Sequence, residues 1–223
     1  MGGLGQERKI VMYDYVTEKQ VGHYKSLFQS ILDRLREKLK RKYGIEVRIV
    51  LVGSGANNMV TRNGKGGFDL DYNLVLASIP PKYAGAPEEL KSLVRKELDA
   101  LVPSGYSHGK DSTSAIIYLL HSPDKKKVEF KADVALVLAG KNGYSRLVRD
   151  RNTKRYIWNQ IRSSGDLEKK LNAIKAAGRL NELADIYQQK KNLYLCRQDN
   201  DHPSFVVHIE AVNELYQKLR ISS

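Results

Sequence analysis

The sequence predicts an α+β protein, with a β-sheet core and flanking helices over residues 1–150 and a helical domain over residues 151–223. Three observations carry that prediction. Runs of β-branched and apolar residues of strand length recur at 45–52, 68–76 and 128–138. A long amphipathic helix precedes the first of them. Strand patterns stop near residue 150, and helical periodicity follows to the end.

The elements are read in order. Residues 1–17 are a glycine-containing N-terminus with room for a short strand or turn. Glu18 to Lys42 places Tyr24, Leu27, Phe28, Ile31, Leu35 and Leu39 on one helical face, with Gly44 as the C-cap glycine. Ile45 to Val52 is a strand ending at Gly53-Ser54-Gly55, where glycine permits a tight turn. Ala56 to Arg62 is expected as a short helix, and Asn63 to Gly67 as a flexible loop. Phe68 to Leu76 carries Asp69, Asp71 and Asn73 on one side and Phe68, Leu70, Tyr72, Leu74 and Leu76 on the other. Pro87 opens a helix that ends before Pro103. Ser114 to His121 is a strand, and a turn at 122–126 joins it to the strand at 128–138, which carries Asp133. Asn142-Gly143 marks a turn, with a hairpin arm from Tyr144 to Val148. Thr153–Ser163, Asp166–Ala177, Leu180–Arg197 and Pro203–Leu219 are expected as helices, with Asp166 and Asp201 as N-caps and Gly178 as a stop or kink.

Asp69 and Asp71, two residues apart on a strand, point to one face, and Asp133 on a neighbouring strand can join them. Three clustered carboxylates repel one another unless a cation lies between them, and the hard cation Mg²⁺ (or Mn²⁺) suits an all-oxygen cluster. An aspartate among Ala132, Val134, Ala135, Leu136 and Val137 is costly to bury without such a partner. The Gly53-Ser54 turn offers backbone N–H groups and a hydroxyl suited to phosphate oxygens. The glycine-rich stretch at 64–67 is not a P-loop, because G-x-x-x-x-G-K-[ST] is absent.

A hydrophobic strand, Gly-Ser, a short helix, Asp-x-Asp and a later Asp together resemble the polymerase-β-like nucleotidyltransferase superfamily, over roughly residues 18–140. Fifteen residues separate Ser54 from Asp69, slightly more than is common there, and the glycine-rich loop can absorb the excess. The resemblance implies a small mixed β-sheet core and an active site in a cleft closed by the helical domain. It implies that Asp69, Asp71 and Asp133 are catalytic metal ligands, and that Gly53 and Ser54 bind the nucleotide. Asn57 and Asn58 are candidate polar contacts at the turn. Lys190 and Lys191 are candidates to neutralise the triphosphate, and Tyr194 to stack on the base. The implied reaction is template-independent and uses two metal ions: it moves a nucleoside monophosphate from an NTP, with ATP the common donor, to a hydroxyl, releasing pyrophosphate. The chain is similar both to the oligoadenylate and cyclic-dinucleotide synthase branch and to small-molecule or toxin-like members. A catalytically silent nucleotide- or nucleic-acid-binding protein on the same fold is the alternative.

Composition bounds the rest. The 223 residues suffice for a proper core, and no stretch approaches a transmembrane span or a signal peptide. One cysteine, Cys196, expected at a core or boundary position, excludes an internal disulfide and fits a cytoplasmic protein. The five histidines form no zinc pattern. The net charge is +13, and residues 141–200 hold 14 Lys/Arg against 6 Asp/Glu. Such a surface attracts polyanions. The expected partner is an NTP, with the acceptor open among nucleotide, small molecule, RNA and protein. Without a recognised nucleic-acid motif, the charge is assigned to the triphosphate rather than to a nucleic acid. Tyr156 and Trp158 are expected in the core rather than stacked on bases.

Overall fold

The first strand of the computed structural model is β1 (Tyr13–Tyr15), followed by α1 (Glu18–Tyr43), β2 (Glu46–Val52) and the single turn α2 (Gly53–Ala56). Then come β3 (Thr61–Asn63), β4 (Phe68–Ser78), α3 (Pro81–Ala84), α4 (Pro87–Asp99), β5 (Lys110–Asp111) and β6 (Ile116–His121). The strands β7 (Val128–Gly140), β8 (Gly143–Arg149) and β9 (Tyr156–Gln160) precede the helices α5 (Gly165–Ala176), α6 (Leu180–Cys196) and α7 (Ser204–Ile221). The structure describes residues 11–140, 143–161, 165–199 and 202–221. The expected N-cap Asp201 and the turn residue Asn142 lie outside them.

These elements divide into two units. The larger comprises Val16–Val60 and Gly66–Ser163, and holds a seven-stranded mixed sheet. Its path is β2-β4-β7-β6-β5, with β8 on the C-terminal half of β7 and β9 outside β8. Among the described residues, only β4 and β7 run parallel.

The alternation of β4 decides the layering. Its even positions are buried, with Leu70, Tyr72, Leu74 and Leu76 at 0% exposure. They meet Phe130, Ala132, Val134 and Leu136 of β7 and the buried stripe Phe28, Ile31, Leu32, Leu35 and Leu39 of α1. Phe28 packs 5.5 Å from the Tyr72 ring, between centroids. Each such side chain, fully buried, contributes about 1.5–3 kcal/mol of transfer free energy. The helix is closed at both ends as its sequence requires. Thr17 Oγ1 accepts from the Gln20 N–H, and Gly44 takes the left-handed conformation with its N–H on the Leu39 and Lys40 carbonyls.

A buried carboxylate joins α1 to α4. Glu97, on α4, receives Lys38, the Tyr43 hydroxyl and Lys42, the last at 3.2 Å. Those donors hold its carboxyl far below the usual range, at about 2.

Three expectations need correction. Residues 56–62 are not a helix: α2 ends at Ala56, Asn58 has a positive φ of 55°, and Thr61 to Asn63 form β3. Of the helix expected over 153–163, the described residues 153–161 are not helical, because β9 pairs with β8 there. The run Tyr156-Ile157-Trp158 alternates inward and outward with period two. Tyr156 and Trp158 pack on the core while Ile157 is exposed. The strand is tied to α4 by Glu88, which accepts the Tyr156 N–H, and by the buried Lys91, which donates to the Tyr156 hydroxyl. Finally, Cys196 is exposed, with Sγ 3.8 Å from Met12 Sδ.

The smaller unit comprises Met1–Tyr15, Thr61–Lys65 and Ser164–Ser223. In it α7 packs on α5 and α6, and Ile174, Leu183, Tyr187, Val207, Val212 and Leu215 are buried. Asp166 lies within the first turn of α5, paired with Lys170 at 2.6 Å, and does not cap it from outside. Gly178, at φ 69°, forms the stop before α6. The antiparallel ribbon β1–β3 is bound to α6 through Asn192, which accepts the Tyr13 N–H at 2.7 Å.

Candidate active site

The parallel register of β4 and β7 assembles the acids. Asp71 stands opposite Asp133, and Asp69 opposite Lys131. All four residues lie on the face of the sheet turned away from α1. One carboxylate oxygen from each of Asp69, Asp71 and Asp133 lies within 4.8 Å of the others. Asp69 is the most open, at 51% side-chain exposure against 22% for Asp133.

The Gly53-Ser54 turn is built against this cluster. Val52 of β2 pairs with Asp71, so the chain leaves the sheet beside the second acid. Gly53 has φ 63°, and a Cβ there would sit 2.9 Å from Asp71 Oδ2. Glycine is therefore required both by backbone conformation and by space. The Ser54 carbonyl accepts the N–H groups of Asn57 and Met59. Asn57 Nδ2 donates to the Gly53 carbonyl at 3.0 Å, bracing the turn, and Asn58 is exposed in the following turn. The chain excess between Ser54 and Asp69 is taken up partly by β3. The glycines after it form a turn in which Gly67 lies so close to β7 that a Cβ would come within 2.6 Å of the Val128 carbonyl.

The electrostatics show incomplete neutralisation. Burial, then Asp69, then Asp133 push the Asp71 carboxyl up to about 6. Burial also raises Asp133, against the opposing pull of Lys131. Asp133 Oδ1 is buried without a hydrogen-bond partner. Its Oδ2 accepts from Lys131 Nζ at 3.1 Å, and the same ammonium is 3.6 Å from Asp69 Oδ2. On the same face, Arg146 of β8 donates from Nη2 to Asn73 Oδ1 at 3.4 Å and its charge acts on Asp71. Sequence reasoning missed both cations. Lys131 could have been found from its spacing, since it precedes Asp133 by two on the same strand. Arg146 could not, because its place follows from the β7–β8 register.

The donor set fits a divalent cation. It consists of hard carboxylate oxygens, two of whose groups are held toward the neutral form by mutual repulsion and burial, and one oxygen is buried without a partner.

Lys190, Lys191 and Tyr194 lie in the helical unit. Lys190 is engaged by Glu214 at 3.0 Å and Glu210 at 3.9 Å. Lys191 donates to Thr61 Oγ1 at 2.8 Å and lies over the Tyr13 ring. Tyr194 stacks on His202, with ring centroids 4.0 Å apart, and its hydroxyl donates to Glu210. Lys191 and Tyr194, with Tyr13, Gln198, His202 and Ser204, line a cavity of about 480 Å³.

The chain matches no family model and no curated protein. It does match solved structures. Against Vibrio cholerae DncV cyclic AMP-GMP synthase in complex with the linear intermediate 5′ pppA(3′,5′)pG, the TM-score is 0.55 at 14% identity, covering 81% of this chain and 60% of that one. Against Escherichia coli DncV in its 3′-deoxy GTP bound form, the TM-score is 0.53 at 13% identity, covering 78% and 60%. With V. cholerae DncV bound to nonhydrolyzable GTP the values are 0.54, 14%, 82% and 62%. The chain thus spans about 60% of the length of these neighbours. With a mixed sheet that aligns Asp69, Asp71 and Asp133 beside a Gly-Ser turn, and with this likeness in backbone, the chain has the polymerase-β-like nucleotidyltransferase fold, in the form seen in DncV.

Proposed function

We propose that the protein is a template-independent nucleotidyltransferase that uses an NTP, with ATP as the expected donor, and Mg²⁺ or Mn²⁺. The observation that carries this reading is the register that sets Asp71 against Asp133 with Asp69 alongside. Asp69, Asp71 and Asp133 would hold the metal, which, when bound, neutralises charge on the triphosphate and on the reacting oxygens. Ser54 and the N–H groups of its turn bind the terminal phosphates. The acceptor oxygen attacks the α-phosphorus, the bond from that phosphorus to the α–β bridging oxygen breaks, and pyrophosphate leaves. Asp133 is the group assigned to take the acceptor's proton, because its Oδ1 is buried without a hydrogen-bond partner. In the helical unit we assign nucleotide contacts to Lys191 and Tyr194, which line a cavity, over Lys190, which two glutamates engage.

The neighbours' names, cyclic AMP-GMP synthase with a linear pppA(3′,5′)pG intermediate, make a ribose hydroxyl of a second nucleotide the first acceptor to test. We place the reaction in the cytoplasm, consistent with a lone free cysteine. Among the described residues no helix is long and apolar enough to cross a membrane.

The test is incubation with each NTP, singly and in pairs, with Mg²⁺ or Mn²⁺, reading pyrophosphate release and product mass. Nucleotidyl products absent from the Asp71→Asn protein are expected. Metal-dependent thermal stabilisation by NTP without any product would identify a silent binder instead. Neither stabilisation nor product in any metal would overturn the reading.

A further inference from the structure

The acid cluster carries a cation of its own. Lys131 lies in the row directly beside Asp69 in the parallel ladder and two residues before Asp133 on β7. Its ammonium therefore emerges on the acid face from the strand that also supplies the third acid. It bridges two of the three carboxylates, at 3.1 Å from Asp133 Oδ2 and 3.6 Å from Asp69 Oδ2. One ammonium against three carboxylates leaves the cluster net negative.

We propose that Lys131 is a displaceable internal counter-ion, which holds Asp69 and Asp133 together in the metal-free protein and competes with the incoming divalent ion for those oxygens. The inference rests on the metal-dependent reading above. Two properties suit the residue to exchange. Its side chain is 34% exposed, so the ammonium has water to move into. Lysine is a point charge on a flexible four-carbon stem, without the planar bidentate grip of a guanidinium. An ammonium and a divalent ion sharing the same carboxylate oxygens would sit within a few ångströms of each other, where their repulsion is large at any interior dielectric. Metal entry thus requires the ammonium to leave, and metal affinity is set below what three carboxylates alone would give. Lys131 is a positioning residue in this scheme.

The experiment is a Mn²⁺ titration of the whole chain without nucleotide, followed by calorimetry or by the electron paramagnetic resonance signal of free Mn²⁺. Lys131→Met is compared with the wild type and with Lys131→Arg, and each protein's melting temperature is measured in EDTA. Lys131→Met should bind Mn²⁺ at least about tenfold more tightly, since loss of a competing unit charge at this range exceeds the 1.4 kcal/mol that a factor of ten requires. It should also melt at a lower temperature in EDTA, while Lys131→Arg keeps the wild-type affinity within a few-fold. A purely structural lysine would lower the melting temperature and leave Mn²⁺ affinity unchanged or weaker, and that result overturns the proposal. If Lys131→Met does not fold without metal, Lys131→Gln takes its place in the same titration. Wild-type binding of Mn²⁺ with no tightening in either neutral variant sinks this inference alone. Absence of Mn²⁺ binding in wild type and variants alike sinks the metal-dependent function with it.

Discussion

Glu97 and Asp71 are carboxylates of the same unit on opposite sides of one sheet, and their surroundings drive them in opposite directions. Glu97 is enclosed by two lysines and a tyrosine hydroxyl, and its carboxyl is held near 2. Asp71 is enclosed by apolar β-sheet and two further acids, and its carboxyl is pushed up to about 6. The first arrangement is complete without a ligand and fastens α4 to α1. The second is electrostatically unfinished, since the cations beside it leave its carboxyl raised.

Substituting the acids should break this contrast most sharply. Asp71→Asn or Asp69→Asn should lower NTP turnover by several orders of magnitude, because metal-stabilised charge in the transition state is worth several kcal/mol and each ~1.4 kcal/mol is tenfold. In EDTA the melting temperature of Asp71→Asn should equal or exceed that of the wild type, since one repelling charge is gone. Paired turnover and melting measurements check both, and a protein that unfolds while retaining specific activity would reverse the assignment.

Glu97→Gln should do the opposite. It loses charge-assisted hydrogen bonds from Lys38 and Lys42 and should cost about 2 kcal/mol in folding stability, read as a lower urea midpoint. Turnover per folded molecule should not change.

The same pair predicts two opposed limbs in the pH dependence of stability without metal. The folded pKa of Asp71 lies above the ordinary aspartate value of 3.8, so the native state binds more protons than the unfolded one between about 4 and 6, and stability should fall as pH rises through that window. Glu97 has a folded pKa below the ordinary glutamate value of 4.5, so its contribution is present above that value and is lost as pH falls toward 2. Urea midpoints across pH 2–8 in EDTA should show Asp71→Asn lacking the upper limb and Glu97→Gln lacking the lower one. Saturating Mg²⁺ should also flatten the upper limb in the wild type.

The smallest effect belongs to Asn57. Asn57→Ala removes one exposed hydrogen bond to the Gly53 carbonyl and should cost about 0.5–1 kcal/mol at most. A mild rise in KM for NTP with kcat preserved would fit a residue that braces the turn. Loss of kcat alone would not.

The acids were legible in the sequence because strand alternation is strict: with Phe68, Leu70 and Tyr72 assigned to the core, Asp69 and Asp71 must share the other face. The Gly-Ser turn was legible because its glycine is demanded locally, by φ and by the neighbouring carboxylate. Other features depend on partners that a local reading does not contain. The five-residue β9 exists through β8 on one side and the Glu88 and Lys91 tethers on the other, and its flanking Thr153-Lys154-Arg155 suggested a solvated helix. The three-residue β3 is a strand because it pairs with β1, nearly fifty residues earlier in the chain. Lys131 shares a strand face with Asp133 by spacing alone, but its place beside Asp69 follows only from the lateral register.

The β4–β7 ladder also bears on how the protein folds. Asp71 and Asp133 are 62 residues apart in the chain and meet only through the parallel pair, the most non-local pairing in the sheet beside them. The β2–β4 pairing can form with Asp69 and Asp71 still well hydrated and distant from the third acid. Repulsion among the three rises only when β7 docks, and the same step brings Lys131, whose ammonium offsets part of it. If a divalent ion binds the three acids as proposed, it recognises the docked state alone, and by mass action it should slow the loss of β7 from the sheet more than it speeds its arrival. Chelation would then be felt first as faster unfolding of a protein whose rate of folding has hardly changed.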